Sequence, residues 1–412
     1  MKKKSRDIGR REFLSRGITG IATGGLMSSI LYSRSASSSE SALPDQKKDL
    51  IFRTLGNTEI KIPIVSMGVM NATSPGLIEH SFKKGIRHFD TAAYYQNGNN
   101  EIMLGSALKR LNAHKDVVIG TKVFIPEGAR NMSESFVKDF YIKTAEDSLK
   151  RLQTDHIDIL YSHSVFNDSW LNHPGILEAL QLLKKQGKTR FIGFSTHQNM
   201  TDVINNGTKL GLYDVILTMF NYAHWEDKDL LNALKNAHSK GIGLIAMKTQ
   251  CPQYGADWGE VPGSSRHYYE GRIMHSAVLK WALRHPFITT AVPGFSTFQH
   301  IDDDTPVAYN LEYTNEEKKF LNDRKVRIAL GYCLQCNECG GQCGRDVDVP
   351  TLMRVHMYTS CYQNYKHARQ TLRNIPVSRS LKKCASCKQC SVRCKNGINV
   401  ADRIEDLKTI YC

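Results

Sequence analysis

From Pro63 to about Asn310 a short apolar run is followed by an amphipathic stretch, and this pairing recurs along the chain. The apolar runs read as strands at Pro63–Val69, His88–Ala92, Val117–Val123, His156–Ser164, Thr189–Thr196, Val215–Asn221, Ile242–Thr249 and Thr289–Phe295. Helical spacing lies between them, as in Ser133–Leu152, Gly175–Gln186 and Asp227–Ser239. Strand–helix pairs repeated eight times over roughly 250 residues match a closed (β/α)8 TIM barrel. A doubly wound sheet is the competing arrangement. It usually carries a glycine-rich phosphate turn after its first strand, and no G-x-G-x-x-G follows Val69. The segment Phe52–Ile60 reads as a short hairpin placed to cap the bottom of the barrel.

Barrel chemistry sits at the C-terminal ends of the strands. The second strand ends Asp90-Thr91-Ala92-Ala93-Tyr94-Tyr95, the third Gly120-Thr121-Lys122-Val123, and the fourth Asp158-Ile159-Leu160-Tyr161-Ser162-His163. An Asp, a Tyr, a Lys and a His therefore meet on one rim. Taken singly, each has an ordinary role: a helix cap, a packing aromatic, an ion-pair partner, a core histidine. Their placement at consecutive strand ends points to a catalytic group.

These stretches, with Arg53-Thr54-Leu55-Gly56, Glu101, Gly193-Phe194-Ser195-Thr196-His197 and Val292-Pro293-Gly294, resemble the aldo-keto reductases over roughly residues 51–310. The resemblance implies a tetrad of Asp90, Tyr95, Lys122 and His163, with Tyr94 as the alternative tyrosine. Hydride addition to a carbonyl builds an alkoxide that needs a proton donor. Tyr95 would donate, and Lys122, held by Asp90, would make the phenol more acidic. His163 would polarise the carbonyl oxygen. The resemblance also implies a nicotinamide site drawn from Ser195, Thr196, Asn221, Lys248, Pro293 and Gly294. The chain departs from the family's pattern in places. Ser195-Thr196 stands for a Ser-Asn pair, and Leu217 stands where a Gln is common, leaving Asn221 as a polar substitute. After the eighth strand come Asp302, Asp303 and Asp304, three carboxylates that would repel an adenosine 2′-phosphate. Weak NADP selectivity is expected, with NADH or a cofactor that is never released as alternatives to NADPH.

Eight of the eleven cysteines form two copies of one pattern: Cys333, Cys336, Cys339, Cys343 and Cys384, Cys387, Cys390, Cys394. This is the spacing of two-cluster bacterial ferredoxins, in which the fourth cysteine of each run ligates the other cluster. By that rule one [4Fe–4S] cluster takes Cys333, Cys336, Cys339 and Cys394, and the other takes Cys384, Cys387, Cys390 and Cys343. Helical stretches such as Thr351–Tyr362 between the runs favour a mainly α-helical module. Four disulfides or two zinc sites are the competing uses of eight cysteines. Cys251, Cys361 and Cys412 lie outside the pattern.

The N-terminus reads as an address. Lys2, Lys3 and Lys4 precede Gly9-Arg10-Arg11-Glu12-Phe13-Leu14, then a weakly apolar stretch from Ile18 to Leu31 and a Ser/Ala-rich stretch from Ser33 to Ala42. This layout resembles a twin-arginine signal, a route that exports folded proteins. A basic tail without that role is the alternative. The net charge of +15 falls to +9 without residues 1–38, and two oxidised clusters would lower it to about +5. Neither nucleic-acid binding nor a stable membrane span is expected. The layout is a signal at 1–38, a linker at 39–50, a barrel at 51–325 and an iron–sulfur module at 326–412. The expected protein is a periplasmic oxidoreductase acting on a small carbonyl or alcohol, a sugar or sugar derivative in particular, with a redox partner for its clusters. The alternative is an electron-transfer protein with a catalytically silent barrel.

Overall fold

The hairpin of the sequence reading forms as two short antiparallel strands, β1 (Phe52–Thr54) and β2 (Lys61–Pro63), in the computed structural model of the chain. The structure describes residues 49–126, 129, 132–250, 274–323, 333–387 and 389–412. The export signal, most of the linker, Cys251 and the expected barrel–module boundary at 325/326 fall outside the described residues. Between β1 and β2, Gly56 turns the chain at φ +53°. A side chain there would meet the Gly241 carbonyl at 2.3 Å, so only glycine lets the hairpin seat so closely. Leu55, Ile60 and Ile62 enter the barrel floor against Ile159, Val215, Leu217 and Ile245. Arg53 fastens the hairpin by donating to the Ile288 carbonyl at 2.5 Å.

Eight parallel strands follow: β3 (Met67–Gly68), β4 (His88–Asp90), β5 (Val118–Val123), β6 (Ile157–Ser162), β7 (Thr189–Thr196), β8 (Val215–Met219), β9 (Gly243–Met247) and β10 (Thr290–Val292). They pair in chain order from β3 to β10. Parallel bridges Val65–Ala291 and Gly68–Gly294 join the first strand to the last and close the barrel. Each strand is followed by a helix: α1 (Pro75–Lys83), α2 (Asn99–Leu111), α3 (Glu134–Leu152), α4 (Pro174–Lys185), α5 (Met200–Leu210), α6 (Lys228–Ser239), α7 (His275–Leu283) and α8 (Phe298–Asp304). The (β/α)8 expectation holds.

The departures lie at element ends. Pro63–Val69 divides between β2, which pairs with β1 in the hairpin, and β3, which pairs with β4 in the barrel. Pro293 stops β10 short of Phe295. Ser133 and Asp227 stand before α3 and α6 as caps; their side chains accept from the Phe136 and Leu230 amides at 3.2 and 3.0 Å. Among the described residues no helix is long and apolar enough to cross a membrane.

Beyond α9 (Asn315–Asn322), the C-terminal region is mainly helical, with α10 (Val349–His356), α11 (Tyr365–Arg373) and α12 (Val400–Tyr411). The expected helix at Thr351–Tyr362 starts earlier, at Val349, and its last turn widens into a π-helical turn, Met357–Cys361. Leu352, Met353, Val355 and Leu407 extend the apolar core that the barrel helices share. This region lies across the C-terminal ends of the barrel strands. Asn364 donates to Asn71 Oδ1 at 2.8 Å, Gln370 to the Tyr94 carbonyl at 2.8 Å, and Gln198 to Asn337 Oδ1 at 2.8 Å.

Candidate active site

Asp90 ends β4 and Lys122 lies one residue from the end of β5, so their register brings both to the barrel mouth. Both are almost fully buried, and the Lys122 ammonium donates to Asp90 Oδ1 and, at 2.6 Å, to the Thr91 carbonyl. Burial drives the Asp90 carboxyl up and the Lys122 ammonium down, and each partner opposes the other's shift. Tyr95 begins a turn after β4 whose next two residues, Gln96 and Asn97, have φ of +53° and +56°. The turn is over-determined from both sides. Thr91 donates to Asn100, and Asn100 donates to the Val69 carbonyl at 2.8 Å. Gln370, from α11, donates to Asn97 Oδ1 at 2.9 Å. Backbone held in a sparsely populated region by its surroundings commonly marks a site. Glu101, buried beneath, accepts from Thr121 and Arg151 at 2.5 and 2.6 Å.

The Tyr95 ring centroid stands 5.2 Å from the Lys122 ammonium and 5.6 Å, edge-on, from the His163 ring. Asp90, Tyr95, Lys122 and His163 line one cleft of about 780 Å³ at the barrel mouth. Tyr94 turns away from that cleft and lines a second, larger one, where its hydroxyl is held by Asn374. The expectation that Lys122 acidifies the phenol is corrected. Burial first, then the Asp90 charge, pushes the Tyr95 hydroxyl well above its ordinary range. The ammonium is spent on Asp90 and the Thr91 carbonyl, so the phenol stays protonated and loaded as a donor. Burial, then Lys122, holds His163 well below its ordinary value, so its ring is neutral. A neutral imidazole can donate one hydrogen bond to a carbonyl oxygen.

Of the residues expected on the cofactor side, Ser195, Lys248, Pro293 and Gly294 line the tetrad's cleft. Lys248 follows β9 with a left-handed backbone, φ +56°, and its ammonium lies 5.5 Å from the Tyr358 ring. Thr196 and Asn221 are not brought to the cleft. The Thr196 hydroxyl donates to the Gln198 carbonyl at 3.2 Å. The Asn221 amide is consumed by the Ala223 N–H and the Lys248 carbonyl, at 3.1 and 3.0 Å. The three carboxylates after β10 do not act as one charge cluster. Asp302 pairs with Lys84 at 2.7 Å and His80 at 2.9 Å, and buried Asp304 accepts from Gln250 at 2.7 Å. The repulsion inferred from three adjacent aspartates is correspondingly weaker.

The C-terminal region supplies part of the cleft wall through Tyr358, Tyr362 and His367. The His367 ring lies 5.7 Å from Tyr95 and 4.5 Å from Tyr358. No local pattern in the sequence marks these residues, because their role comes from packing across about 270 residues of chain.

The cysteine runs form two loops beside these helices. No disulfide joins the described cysteines to one another. Burial, then Cys333 and Cys336, with Cys394 adding, pushes the Cys339 thiol up to about 12. Burial, then Cys343, Cys387 and Cys390, pushes Cys384 up to about 11. The fourth cysteine of each run thus acts electrostatically on the other run. Among the described residues, no three His, Cys, Asp or Glu side chains converge to hold a single metal ion.

The aldo/keto reductase family model matches residues 69–250. An uncharacterized oxidoreductase of Bacillus subtilis, YqkF, is 32% identical over 299 residues, covering 65% of this chain and 94% of that protein. L-galactose dehydrogenase of Arabidopsis thaliana is 27% identical over 298 residues, covering 66% of this chain and 92% of its own. Among solved structures, the holo form of aldo-keto reductase AKR11C1 from Bacillus halodurans is 21% identical, with a TM-score of 0.55. It is matched over its whole length and covers 68% of this chain. That likeness extends to the fold. With the tetrad positions on one rim and these relatives spanned nearly end to end, the chain is an oxidoreductase belonging to the aldo/keto reductase family.

Proposed function

We propose that this enzyme interconverts a carbonyl and an alcohol on a sugar or sugar derivative. The observation that carries the reading is the convergence of Asp90, Tyr95, Lys122 and His163 on one cleft. A nicotinamide cofactor would supply or accept the hydride; Ser195, Lys248, Pro293 and Gly294 are the residues that would hold it. The chain's own groups do the rest. His163, neutral, orients the carbonyl oxygen by a hydrogen bond. The Tyr95 hydroxyl donates its proton to the oxygen as alkoxide character develops. In the oxidising direction the same atoms run in reverse. The sugar assignment draws on the name of the Arabidopsis relative.

The reading includes two [4Fe–4S] clusters, one on Cys333, Cys336, Cys339 and Cys394, the other on Cys384, Cys387, Cys390 and Cys343. The repeated spacing supports it. In a cubane each thiolate binds a different iron, so the ligands stand farther apart than around a single ion. The clusters would carry electrons between the nicotinamide and a redox partner, which gives them a purpose in a compartment without free nicotinamide. Export by the twin-arginine route fits, because clusters can be inserted before the folded protein leaves the cytoplasm.

Anaerobic purification followed by analysis of iron, sulfide and bound nucleotide tests the assignment. Brown protein with about eight irons per chain is expected; colourless protein rich in zinc overturns the clusters. Tyr95→Phe should lower carbonyl reduction by about 10²–10⁴-fold. Wild type that binds no nicotinamide and turns over no carbonyl would leave the silent-barrel alternative standing.

A further inference from the structure

The second cleft over the barrel mouth is larger than the first and shares His163, His197, Tyr358 and His367 with it. It therefore adjoins the cleft that the tetrad lines. Its far wall is α10, which places Arg354 in the cleft. The helix is anchored by Leu352, Met353 and Val355, each almost wholly buried, so the guanidinium is presented from a fixed backbone.

Arg354 is half-buried in the wall of the cleft. Its hydrogen bonds run to neutral acceptors, Gln198 Oε1 and Thr351 Oγ1, both at 3.3 Å. Among the described residues no carboxylate lies within ion-pair distance of it. The other charged groups lining this cleft are committed elsewhere. Arg379 faces Asp346 at 3.5 Å, and Asp348 accepts from the Thr351 amide at 3.1 Å as the cap of α10. A guanidinium offers five donors in a planar fork, and two long bonds leave most of them to be satisfied. His367, 7% exposed, lines both clefts, and among the described residues no group hydrogen-bonds its ring. The positive field reaches the whole site: after burial, Lys248 and then Arg354 lower the His367 imidazole to about 3. That imidazole is neutral and suits a hydroxyl.

We propose that this outer cleft binds the body of the substrate and that Arg354 recognises an anionic group on it, a carboxylate or a phosphate. The inference rests on the carbonyl–alcohol reading above and adds the substrate's charge. His367 hydrogen-bonds a hydroxyl between the reacting carbon and the anion. The anion belongs to the substrate rather than the cofactor, because Ser195, Pro293 and Gly294 line the inner cleft and none of them lines the outer one. A bidentate pair there would discriminate an anionic group from a neutral one.

The test uses the holoenzyme and three probes of one configuration: a hexose, its 6-carboxylate and its 6-phosphate. At least one anion should exceed the hexose in kcat/KM by about tenfold or more, and the better anion identifies the source of the charge. In Arg354→Gln the anion-to-neutral ratio should fall to near one, chiefly through KM. Arg354→Lys should keep part of it, since an ammonium supplies charge without the fork. Equal use of all three probes by wild type overturns the proposal. So does a uniform loss across the probes in Arg354→Gln, or an equal loss of nicotinamide binding. A second readout needs no turnover. Calorimetric titration with the unreactive hexonate and with inorganic phosphate should show at least one of them binding, and about tenfold more weakly to Arg354→Gln. If that dependence holds while no aldehyde reacts, the carbonyl reading fails and the anion site stands. If neither anion binds wild type, the anion site fails.

Discussion

Lys122 and Asp90 share a single buried proton-and-charge arrangement beneath Tyr95. Lys122→Met would strand a buried carboxylate, a change that typically costs about 3–5 kcal/mol. With its cation gone, the Asp90 carboxyl would rise further above its unfolded value. A group whose folded pKa is raised is least costly in acid, so the deficit should grow as the pH rises. Urea unfolding of wild type and variant at pH 5 and pH 8 checks this, and an equal deficit at both would show that Asp90 stays ionised. The buried histidines give the opposite signature for the whole chain. Burial holds His88 and His367 at about 3 and His224 at about 4, against about 6.5 unfolded. These folded values are depressed, so below about pH 6.5 the unfolded chain takes up protons that the folded chain refuses. Each such histidine removes about 1.4 kcal/mol per pH unit down to its folded value. The thermal midpoint should fall steeply between pH 7 and pH 5; a flat profile would mean that these rings gain protons in the folded state. The tetrad was legible because its residues stand at fixed offsets from strand ends. Arg354, Tyr358 and His367 were not, since they reach the site through α10 and α11 packing over the barrel mouth.

Among the elements, the hairpin β1–β2 does the most for its size. It closes the end of the barrel opposite the cleft, and Leu55, between its two strands, has none of its surface exposed. Leu55→Ala should cost about 2–5 kcal/mol, because the barrel floor it fills is too rigid to collapse around the hole. The midpoint of denaturant unfolding should shift with an unchanged slope, and activity at low temperature should persist. A loss below about 1 kcal/mol would show that the floor can repack. Element type was readable along the barrel because apolar runs and helical spacing alternate there. Element ends were not, since they depend on individual caps and prolines: Ser133, Asp227 and Pro293 each moved a boundary by one to a few residues. The π-helical turn at Met357–Cys361 had no sequence signature, although it carries Tyr358 into the cleft.

On the scale of the whole molecule, the C-terminal region touches the barrel where the chemistry is expected. Gln198 links the two: it accepts from Arg354 and donates to Asn337, which lies between Cys336 and Cys339. The loop of the first cysteine run and the wall of the outer cleft are therefore one hydrogen-bonded assembly. If that run holds a cluster, the cluster braces the substrate site as well as carrying electrons. Cys336→Ser should then do more than lower the iron content. It should raise KM for the carbonyl substrate while leaving Tyr95 and Lys122 in place. The matching change in the second run, Cys387→Ser, lies away from Gln198 and should spare KM while slowing electron delivery to an external acceptor. Steady-state kinetics with the nicotinamide as sole electron source separates the two, because that assay does not need the clusters as carriers. Equal KM values in both variants would show that the clusters act on electron flow alone. If the N-terminus is the proposed twin-arginine signal, cluster insertion precedes translocation, and replacing Arg10 and Arg11 by lysine should leave iron-loaded, active enzyme in the cytoplasm. Apo-protein accumulating there instead would place cluster insertion after export.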